Sequence, residues 1–303
     1  MRKIPDRNIE AARVAHVQAV RNYVQAKGEC YRRDLFEAVT AACPVRYDFA
    51  EACCRDDWSW LERFLLADVP TLRRLTQEKP EALQFEQFLK LYQNRFCNGA
   101  DTYVDASTCY NSYSLIQNLG VTVCPYCDEE YLHVLKSRDQ KTVRTLELDH
   151  FFPKKKYPAL AMCFYNLVPS GQACNGIKLE ESLGMSPFEP EIESCTRLCP
   201  DLPMGVNMEA VPVEACVIHF HPRGAMDENV KTLRLEERYL RHRAQAHRYL
   251  VLRQNFDETK LQELVRLGIF PSLEQAREVL YEENAASADQ PLLQKLKHDI
   301  LEF

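Results

Sequence analysis

The sequence predicts an α+β protein that is mainly α-helical, on three observations. Apolar residues recur at helical spacing before residue 119 and again after residue 229. Between residues 119 and 190, short apolar runs alternate with polar turns, which is typical of strands. Residues 189–228 are rich in proline and contain one strand candidate. We therefore predict a helical region at 1–118, a central module at 119–190, and strands followed by helices at 191–303.

Apolar stripes at helical spacing predict the helices of the N-terminal region. One set recurs at i, i+3, i+7, i+10 and i+14, and it predicts an amphipathic helix that ends at Asn98 and Gly99. Pro70 and Pro80 suit the first turns of successive helices. The residues of the set are Ala82, Phe85, Leu89, Tyr92 and Phe96.

In the central module, residues 130–135 and 142–148 flank a polar turn and predict a hairpin. A second short strand is predicted around 166–168, and a helix at 172–181 with Ser170 as its N-cap. The module therefore carries two strands followed by a helix.

The C-terminal region is predicted to contain a strand at 215–220 and a helix from 229 to 254 with an arginine-rich face. Asp257 and Ser272 are expected N-caps, the latter with Gln275 completing a capping box. The arginine-rich face comprises Arg234, Arg238, Arg241 and Arg248.

Composition limits the classes of function. A net charge of −6 counts against a free-standing, tight nucleic-acid binder and favours help from a partner protein. No apolar run approaches a membrane span, and residues 1–7 lack the apolar core of a signal peptide, so we expect a cytoplasmic protein without a membrane partner. Most of the 13 cysteines are scattered and are expected to be small buried hydrophobes.

Polar residues of the central module predict a metal site with a general base beside it. Asp149 and His150 stand at a strand end, where neighbouring side chains point to opposite faces. A carboxylate suits Mg²⁺ or Mn²⁺, and a neutral imidazole suits a general base. Asn175 could complete the metal site, and Asn166 could hydrogen-bond the backbone around His150.

The predicted reaction is hydrolysis of a phosphodiester bond. His150 takes a proton from water, and a metal held by Asp149 and Asn175 neutralises the charge that develops at phosphorus. Lys178 lies on the same helix face as Asn175 and could meet a phosphate oxygen. A lysine run beyond the strand could bind the flanking phosphates. This run is Lys154, Lys155 and Lys156.

The segment from Cys124 to Lys178 resembles the HNH endonuclease motif, the ββα-metal fold. The matching parts are Cys-Pro-Tyr-Cys at 124–127, Leu-Asp-His-Phe-Phe-Pro-Lys-Lys-Lys-Tyr-Pro at 148–158, Tyr-Asn-Leu-Val-Pro at 165–169 and Cys-Asn-x-x-Lys at 174–178. More narrowly, these parts resemble bacterial HNH nucleases of anti-phage defence, such as the nuclease subunit of Septu-type systems.

The resemblance implies roles that agree with the chemistry. It makes His150 the general base, Asp149 and Asn175 the ligands of Mg²⁺ or Mn²⁺, and Asn166 the residue that orients the loop. It also implies a DNA substrate and a protein partner such as an ATPase subunit, in a homo-oligomer or a hetero-assembly.

One position departs from the family pattern. The family usually completes a four-cysteine zinc knuckle with a second cysteine pair, and the first position of that pair is Gly171 here. Cys195 or Cys199 could supply a fourth ligand; otherwise zinc is weak or absent and packing holds the knuckle. The three remaining thiols are Cys124, Cys127 and Cys174.

Two other functions stay open at this point. The missing cysteine at Gly171 favours a catalytically silent HNH-fold subunit for binding or scaffolding, whereas the intact polar set disfavours it. A ribonuclease could use the same site. The arginine-rich face could form part of the DNA path or a salt-bridged surface.

Overall fold

A computed structural model describes residues 1–97, 110–136, 142–144, 146–200, 202, 205–281 and 292–301. Helices dominate these residues, and the strands form three two-stranded antiparallel sheets, so the predicted mainly helical α+β class is confirmed. Buried residues from all three predicted regions join one hydrophobic core. No helix in the described part of the chain is long and apolar enough to cross a membrane.

The N-terminal helices pack around the central module. Their bounds are α1 Ile9–Lys27, α2 Glu29–Ala42, α3 Phe49–Cys54, α4 Ser59–Leu65, α5 Val69–Glu78, α6 Gln87–Leu91 and α7 Ser112–Leu119. Helix α5 begins as predicted, because Pro70 lies in its first turn and Asp68 accepts a hydrogen bond from the Thr71 N–H.

The helix predicted through residues 82–98 is broken into three pieces. A 3₁₀ turn at Pro80–Leu83 precedes α6, and a π-helical turn at Tyr92–Cys97 follows it. A π-turn widens the helix by one residue and is frequent beside functional sites. Here it carries Tyr92, whose ring lies against His150. The predicted end at Asn98 and Gly99 lies outside the described residues.

The central strands differ from the predicted hairpin in one respect. Strand β1 (Val134–Lys136) pairs with β2 (Thr142–Arg144), but the predicted second strand divides, and β3 (Leu146–His150) pairs with β4 (Leu167–Gly171). Helix α8 (Gln172–Lys178) follows and packs on both β3 and β4. The order strand, strand, helix is therefore as predicted.

Two boundaries around α8 were wrong. Ser170 is not the N-cap: it is fully buried as the penultimate residue of β4, and Gly171 precedes the helix without a side-chain cap. The helix also ends at Lys178 rather than near residue 181, because Leu179 takes a left-handed φ of 50°. Burial of Ser170 in the sheet outweighs its local capping preference.

The C-terminal region contains β5 (Thr196–Pro200) paired with β6 (Ile218–Pro222), three residues later than the predicted strand start. Asp257 and Ser272 cap their helices as predicted, accepting from the Lys260 and Gln275 N–H groups. The helices are α9 Met226–Thr232, α10 Leu235–Tyr239, α11 Arg243–Asn255, α12 Glu258–Arg266, α13 Leu273–Leu280 and α14 Gln294–Leu301.

The arginine-rich face is not one continuous surface. The predicted single helix is interrupted because Arg234 adopts a left-handed φ of 51° and a 3₁₀ turn separates α10 from α11. Arg238 turns inward: it pairs with Glu129, and its Nη1 lies 3.1 Å from the Cys174 sulfur. Arg238 therefore stabilises the central module rather than offering a charge to DNA.

A buried histidine makes the free energy of unfolding depend on pH. His16 is fully buried in α1, its Nε2 lies 2.8 Å from the Met162 carbonyl oxygen, and burial lowers its pKa from 6.5 to about 4. The unfolded chain binds a proton at His16 below pH 6.5, while the folded chain does not until about pH 4.

We therefore expect stability to fall as pH drops from 6.5 to 5, with His16 contributing about 2 kcal/mol of that loss. Urea unfolding of the wild type and of His16→Gln at several pH values measures it. The variant is less stable at pH 7. Its free energy of unfolding should depend less steeply on pH, by an amount equal to the uptake of up to one proton on unfolding. Parallel slopes would contradict the assignment.

Candidate functional site

Three of the four residues predicted for catalysis and for the catalytic metal line one cleft of about 920 Å³ formed by β3, α8 and the loop after β3; they are Asp149, His150 and Asn175. The fourth, Asn166, does not line it. The antiparallel register places Asp149 opposite Val168 and His150 opposite Leu167, so both polar residues stand at the end of β3. The polar lining residues used below are Glu147, Asp149, His150, Lys154, Lys155 and Asn175.

His150 is held in one tautomer. Its Nε2 lies 3.1 Å from the Ala161 carbonyl oxygen, which only accepts hydrogen bonds, so Nε2 carries the proton. The other nitrogen, Nδ1, is therefore unprotonated, and it has no hydrogen-bond partner within the described residues. The Tyr92 ring packs edge-on at 4.5 Å between centroids and fixes the imidazole plane. Nδ1 is therefore the basic nitrogen of the ring, and because it is buried, a water must enter beside it before it can accept a proton.

The imidazole stays neutral over a wide pH range. Burial is the main cause that lowers the pKa of His150 from 6.5 to about 3, and the neighbouring positive charge of Lys154 adds to it. The ring is therefore neutral at pH 7, the form that can accept a proton, and a pKa this low makes it a weaker proton acceptor than an ordinary imidazole.

Asn166 fixes the loop that supports His150. The side chain is fully buried, its Oδ1 accepts from the Phe152 N–H at 2.6 Å, and its Nδ2 donates to the carbonyls of Phe152 and Leu160 at 3.2 and 2.9 Å. Because Leu160 immediately precedes the carbonyl that binds His150, the predicted positioning by Asn166 agrees with this geometry.

We expect Asn166→Ala to lower the free energy of unfolding by about 3 kcal/mol, since it leaves the buried Phe152 N–H without an acceptor. Chemical denaturation measures the loss. The exposed Asn22→Ala serves as the control and should change stability by less than about 0.5 kcal/mol. Equal effects of the two substitutions would contradict the role of Asn166.

Asp149 and Lys178 form a buried ion pair. Lys178 has no exposed surface, and its ammonium lies 3.2 Å from Asp149 Oδ1 and 2.9 Å from the His150 carbonyl oxygen. The second carboxylate oxygen, Oδ2, accepts from the Tyr126 hydroxyl at 2.7 Å. The predicted contact between Lys178 and a phosphate is therefore wrong for this structure, because the ammonium lies beneath the cleft floor and does not line it.

Oxygen ligands for a metal stand on β3 and α8. Asn175 donates its amide N–H to the Glu147 carboxylate, which leaves the amide oxygen of Asn175 as its ligand atom. Glu147 and Asp149 both line the cleft, since residues two apart on a strand share a face. Carboxylate and amide oxygens are the ligands that Mg²⁺ and Mn²⁺ take, so these donors fit a hard divalent cation.

The predicted lysine run is divided in the structure. Lys154 lines the cleft with its ammonium 5.3 Å from the centre of the Tyr92 ring. Lys155 is exposed at the rim and pairs with Glu180, whereas Lys156 lies over the Tyr157 ring and does not line the cleft. Two of the three lysines could therefore meet a substrate that enters the cleft.

The cleft is acidic in balance. Its two lysines face the carboxylates of Glu147, Asp149, Glu180 and Glu181. A polyanion would be repelled from this lining unless a cation neutralises part of it. The charge balance favours a metal-dependent site over direct binding of phosphates by lysine.

The three cysteines meet below the sheet. The sulfurs of Cys124, Cys127 and Cys174 lie within 4.8 Å of one another, and all three residues are buried. Burial raises the pKa of the Cys124 thiol above its usual range, so without a cation it stays protonated. The structure brings neither of the two predicted fourth ligands, Cys195 and Cys199, into this group. They lie before and within β5.

Sequence reasoning missed three residues of the site. Glu147 lines the cleft, Tyr126 holds Asp149, and Tyr92 packs on His150. The i, i+2 spacing from Asp149 could have shown Glu147. The two tyrosines carry no such local signal, because they reach the site from distant parts of the chain.

Comparison of the chain with protein-family models, with curated proteins and with solved structures finds no match in any of the three.

Proposed function

We propose that the protein is a metal-dependent endonuclease of HNH type that hydrolyses phosphodiester bonds of DNA, as the effector of a bacterial anti-phage system. The observation that carries the proposal is the state of His150, a residue that lines the same cleft as the oxygen ligands. Its imidazole is neutral and oriented, and its Nδ1 is buried, unprotonated and without a partner in the described residues. A purely structural histidine of this burial would be expected to bond through both nitrogens, as His16 does.

Each residue of the site has a separate role in the proposed hydrolysis. His150 Nδ1 accepts the proton of a water as that water attacks phosphorus. The bond from phosphorus to the leaving oxygen breaks, and the leaving oxygen takes a proton from solvent. Ala161 and Tyr92 keep the ring in position, and Asn166 holds the supporting loop. A divalent cation bound by Asp149 and Asn175 would supply positive charge for the phosphate oxygens. Glu147 adds a carboxylate beside Asn175.

A silent scaffold is the second candidate, and the Asp149–Lys178 ion pair favours it. Both oxygens of Asp149 already have partners, so a cation must compete with the ammonium of Lys178 for Oδ1. If that ion pair is not displaced, the module binds partners without cutting. Metal titration separates the two candidates, because only the nuclease requires a divalent ion at this site.

We expect wild-type cleavage to require Mn²⁺ or Mg²⁺, and Asn175→Ala to raise the Mn²⁺ concentration at half-maximal rate by roughly tenfold or more. Plasmid cleavage at a series of metal concentrations measures this, with Asn22→Ala as the control on an exposed helix face. Unchanged metal dependence in Asn175→Ala would remove Asn175 from the ligand set.

The substrate and the partner are part of the proposal. The net charge of −6 and the acidic cleft support delivery of DNA by a protein partner such as an ATPase subunit. Parallel assays on plasmid DNA and single-stranded RNA separate a deoxyribonuclease from a ribonuclease. Faster cleavage of RNA than of DNA under matched conditions would favour the ribonuclease.

A further inference from the structure

Two of the three cysteines, Cys124 and Cys127, lie in a turn that also positions a carboxylate, whereas Cys174 lies on α8. The Cys124 N–H donates to the Glu130 carbonyl oxygen at 2.9 Å, and the Asp128 N–H donates to the Cys124 carbonyl oxygen at the same distance. A bridge between Val123 and Tyr131 closes the turn. This geometry returns the chain so that Glu130 stands beside Cys124, on the side that faces Gly171.

The Glu130 carboxylate occupies the space that a side chain at position 171 would need. A Cβ atom built on Gly171 would lie 1.8 Å from Glu130 Oε2 and 2.8 Å from Oε1. The shorter distance is comparable with the C–S bond of a cysteine, so the carboxylate stands in the space beside Gly171 that a cysteine side chain would need. The φ of Gly171 is −68°, which any residue adopts. Glycine is therefore required here by the carboxylate and not by the backbone.

The carboxylate has one oxygen in need of a partner. It accepts a hydrogen bond from the Gln172 backbone N–H, while Oε2 is buried and has no partner within the described residues. A buried carboxylate oxygen without a donor is costly. The carboxylate does not lie within 4.8 Å of all three sulfurs, so a rotation of the Glu130 side chain is needed to place it on a shared ion.

We infer that Glu130 replaces the absent cysteine at position 171 and completes a structural Zn²⁺ site with Cys124, Cys127 and Cys174. Three thiolates and one carboxylate are a closed ligand set of the kinds that zinc accepts. This site does not depend on the proposed nuclease activity, since none of its ligands lines the cleft.

Contacts around the sulfurs support thiolates. Arg238 Nη1 points at Cys174 Sγ at 3.1 Å, and the Gly171 N–H donates to Cys124 Sγ at 3.3 Å. Hydrogen-bond donors around metal-bound thiolates stabilise their charge and orient them. The same contacts explain why the largely buried guanidinium of Arg238, a residue of the predicted arginine-rich face, turns toward this part of the protein.

The test measures metal content and not activity. Wild type is expected to carry one Zn²⁺ per chain, and Glu130→Gln to bind it at least roughly tenfold more weakly, because glutamine keeps the contact with Gln172 but loses the charged ligand. Elemental analysis and competition with a zinc chelator give both values. Glu62→Gln, an exposed position, is the control.

A compensating pair sharpens the test. In Glu130→Ala combined with Gly171→Cys, the carboxylate is gone and the cysteine has room, so zinc affinity should return to the wild-type level or higher. The thiolate-to-metal charge-transfer band of the Co²⁺ form should grow in proportion to a change from three thiolates to four.

The inference is overturned if wild type purified with ample zinc carries none, or if Glu130→Gln binds zinc as tightly as wild type. If Glu130→Gln does not fold, the intensities of the charge-transfer band in the Co²⁺ forms of wild type and the double variant are compared instead. Equal band intensities in those two proteins would then contradict Glu130 as the fourth ligand.

Discussion

Replacing His150 with alanine is expected to lower the rate of metal-dependent DNA cleavage by about 10²- to 10⁴-fold, the range that a positioned general base contributes. The substitution removes Nδ1, the proton acceptor of the proposed reaction, and leaves the oxygen ligands on β3 and α8 in place. Single-turnover rates at saturating Mn²⁺ measure the loss. The Mn²⁺ concentration needed for half-maximal rate should stay close to that of wild type.

The control for this substitution is His221→Ala, at an exposed position of β6 that does not line the cleft. We expect it to cleave at the wild-type rate. A similar loss in both variants, or a large shift in metal requirement for His150→Ala, would contradict the assignment of His150 as the base.

The pKa of His150 adds a pH signature to the same prediction. Because it is lowered to about 3, the imidazole is neutral above that value, and protonation of His150 should not slow cleavage between pH 8 and pH 5. A rate that falls with a midpoint near pH 6.5 in the free protein would show an imidazole exposed to solvent instead.

The second large effect is expected on stability. Lys178→Met removes the ammonium that neutralises the buried Asp149 carboxylate and leaves that charge unpaired, so the free energy of unfolding should fall by about 3–5 kcal/mol. Urea denaturation without divalent ions measures the change. Since Mn²⁺ would then be the cation beside Asp149, it should stabilise the variant more than it stabilises wild type.

Lys155→Met is the matched control, because Lys155 is also ion-paired but its side chain is 76% exposed. An exposed pair contributes little, so we expect a change below about 1 kcal/mol. If Lys178→Met were no more destabilising than Lys155→Met, the buried ion pair would not have the structural role that its position indicates.

The residues that sequence reasoning placed correctly are those linked to local geometry. His150 and Asn175 were expected on a strand and on a helix, and they lie at the end of β3 and on α8. Asn166 was expected on the second strand, but it lies in the 3₁₀ turn Phe164–Asn166 directly before β4. The caps at Asp257 and Ser272 were also predicted, because a cap depends on a side chain and a backbone N–H three residues away.

The errors arose where tertiary contacts outweigh local pattern. Lys178 and Arg238 are basic residues on amphipathic segments, and spacing alone does not show that a buried carboxylate or a sulfur draws each of them inward. Tyr92 reaches His150 through a π-turn that no periodicity indicates. Glu130 precedes Gly171 by some forty positions in the chain. Their shared space is visible only once the turn and β4 are folded.

The central claim is that this cleft cuts phosphodiester bonds through His150 and a bound divalent cation. The most direct measurement is cleavage of supercoiled plasmid DNA by wild type and His150→Ala, in Mn²⁺ and in excess chelator. We predict nicked or linear DNA only for wild type with Mn²⁺. Identical behaviour of the two proteins under every condition, or cleavage by wild type in excess chelator, would contradict the claim.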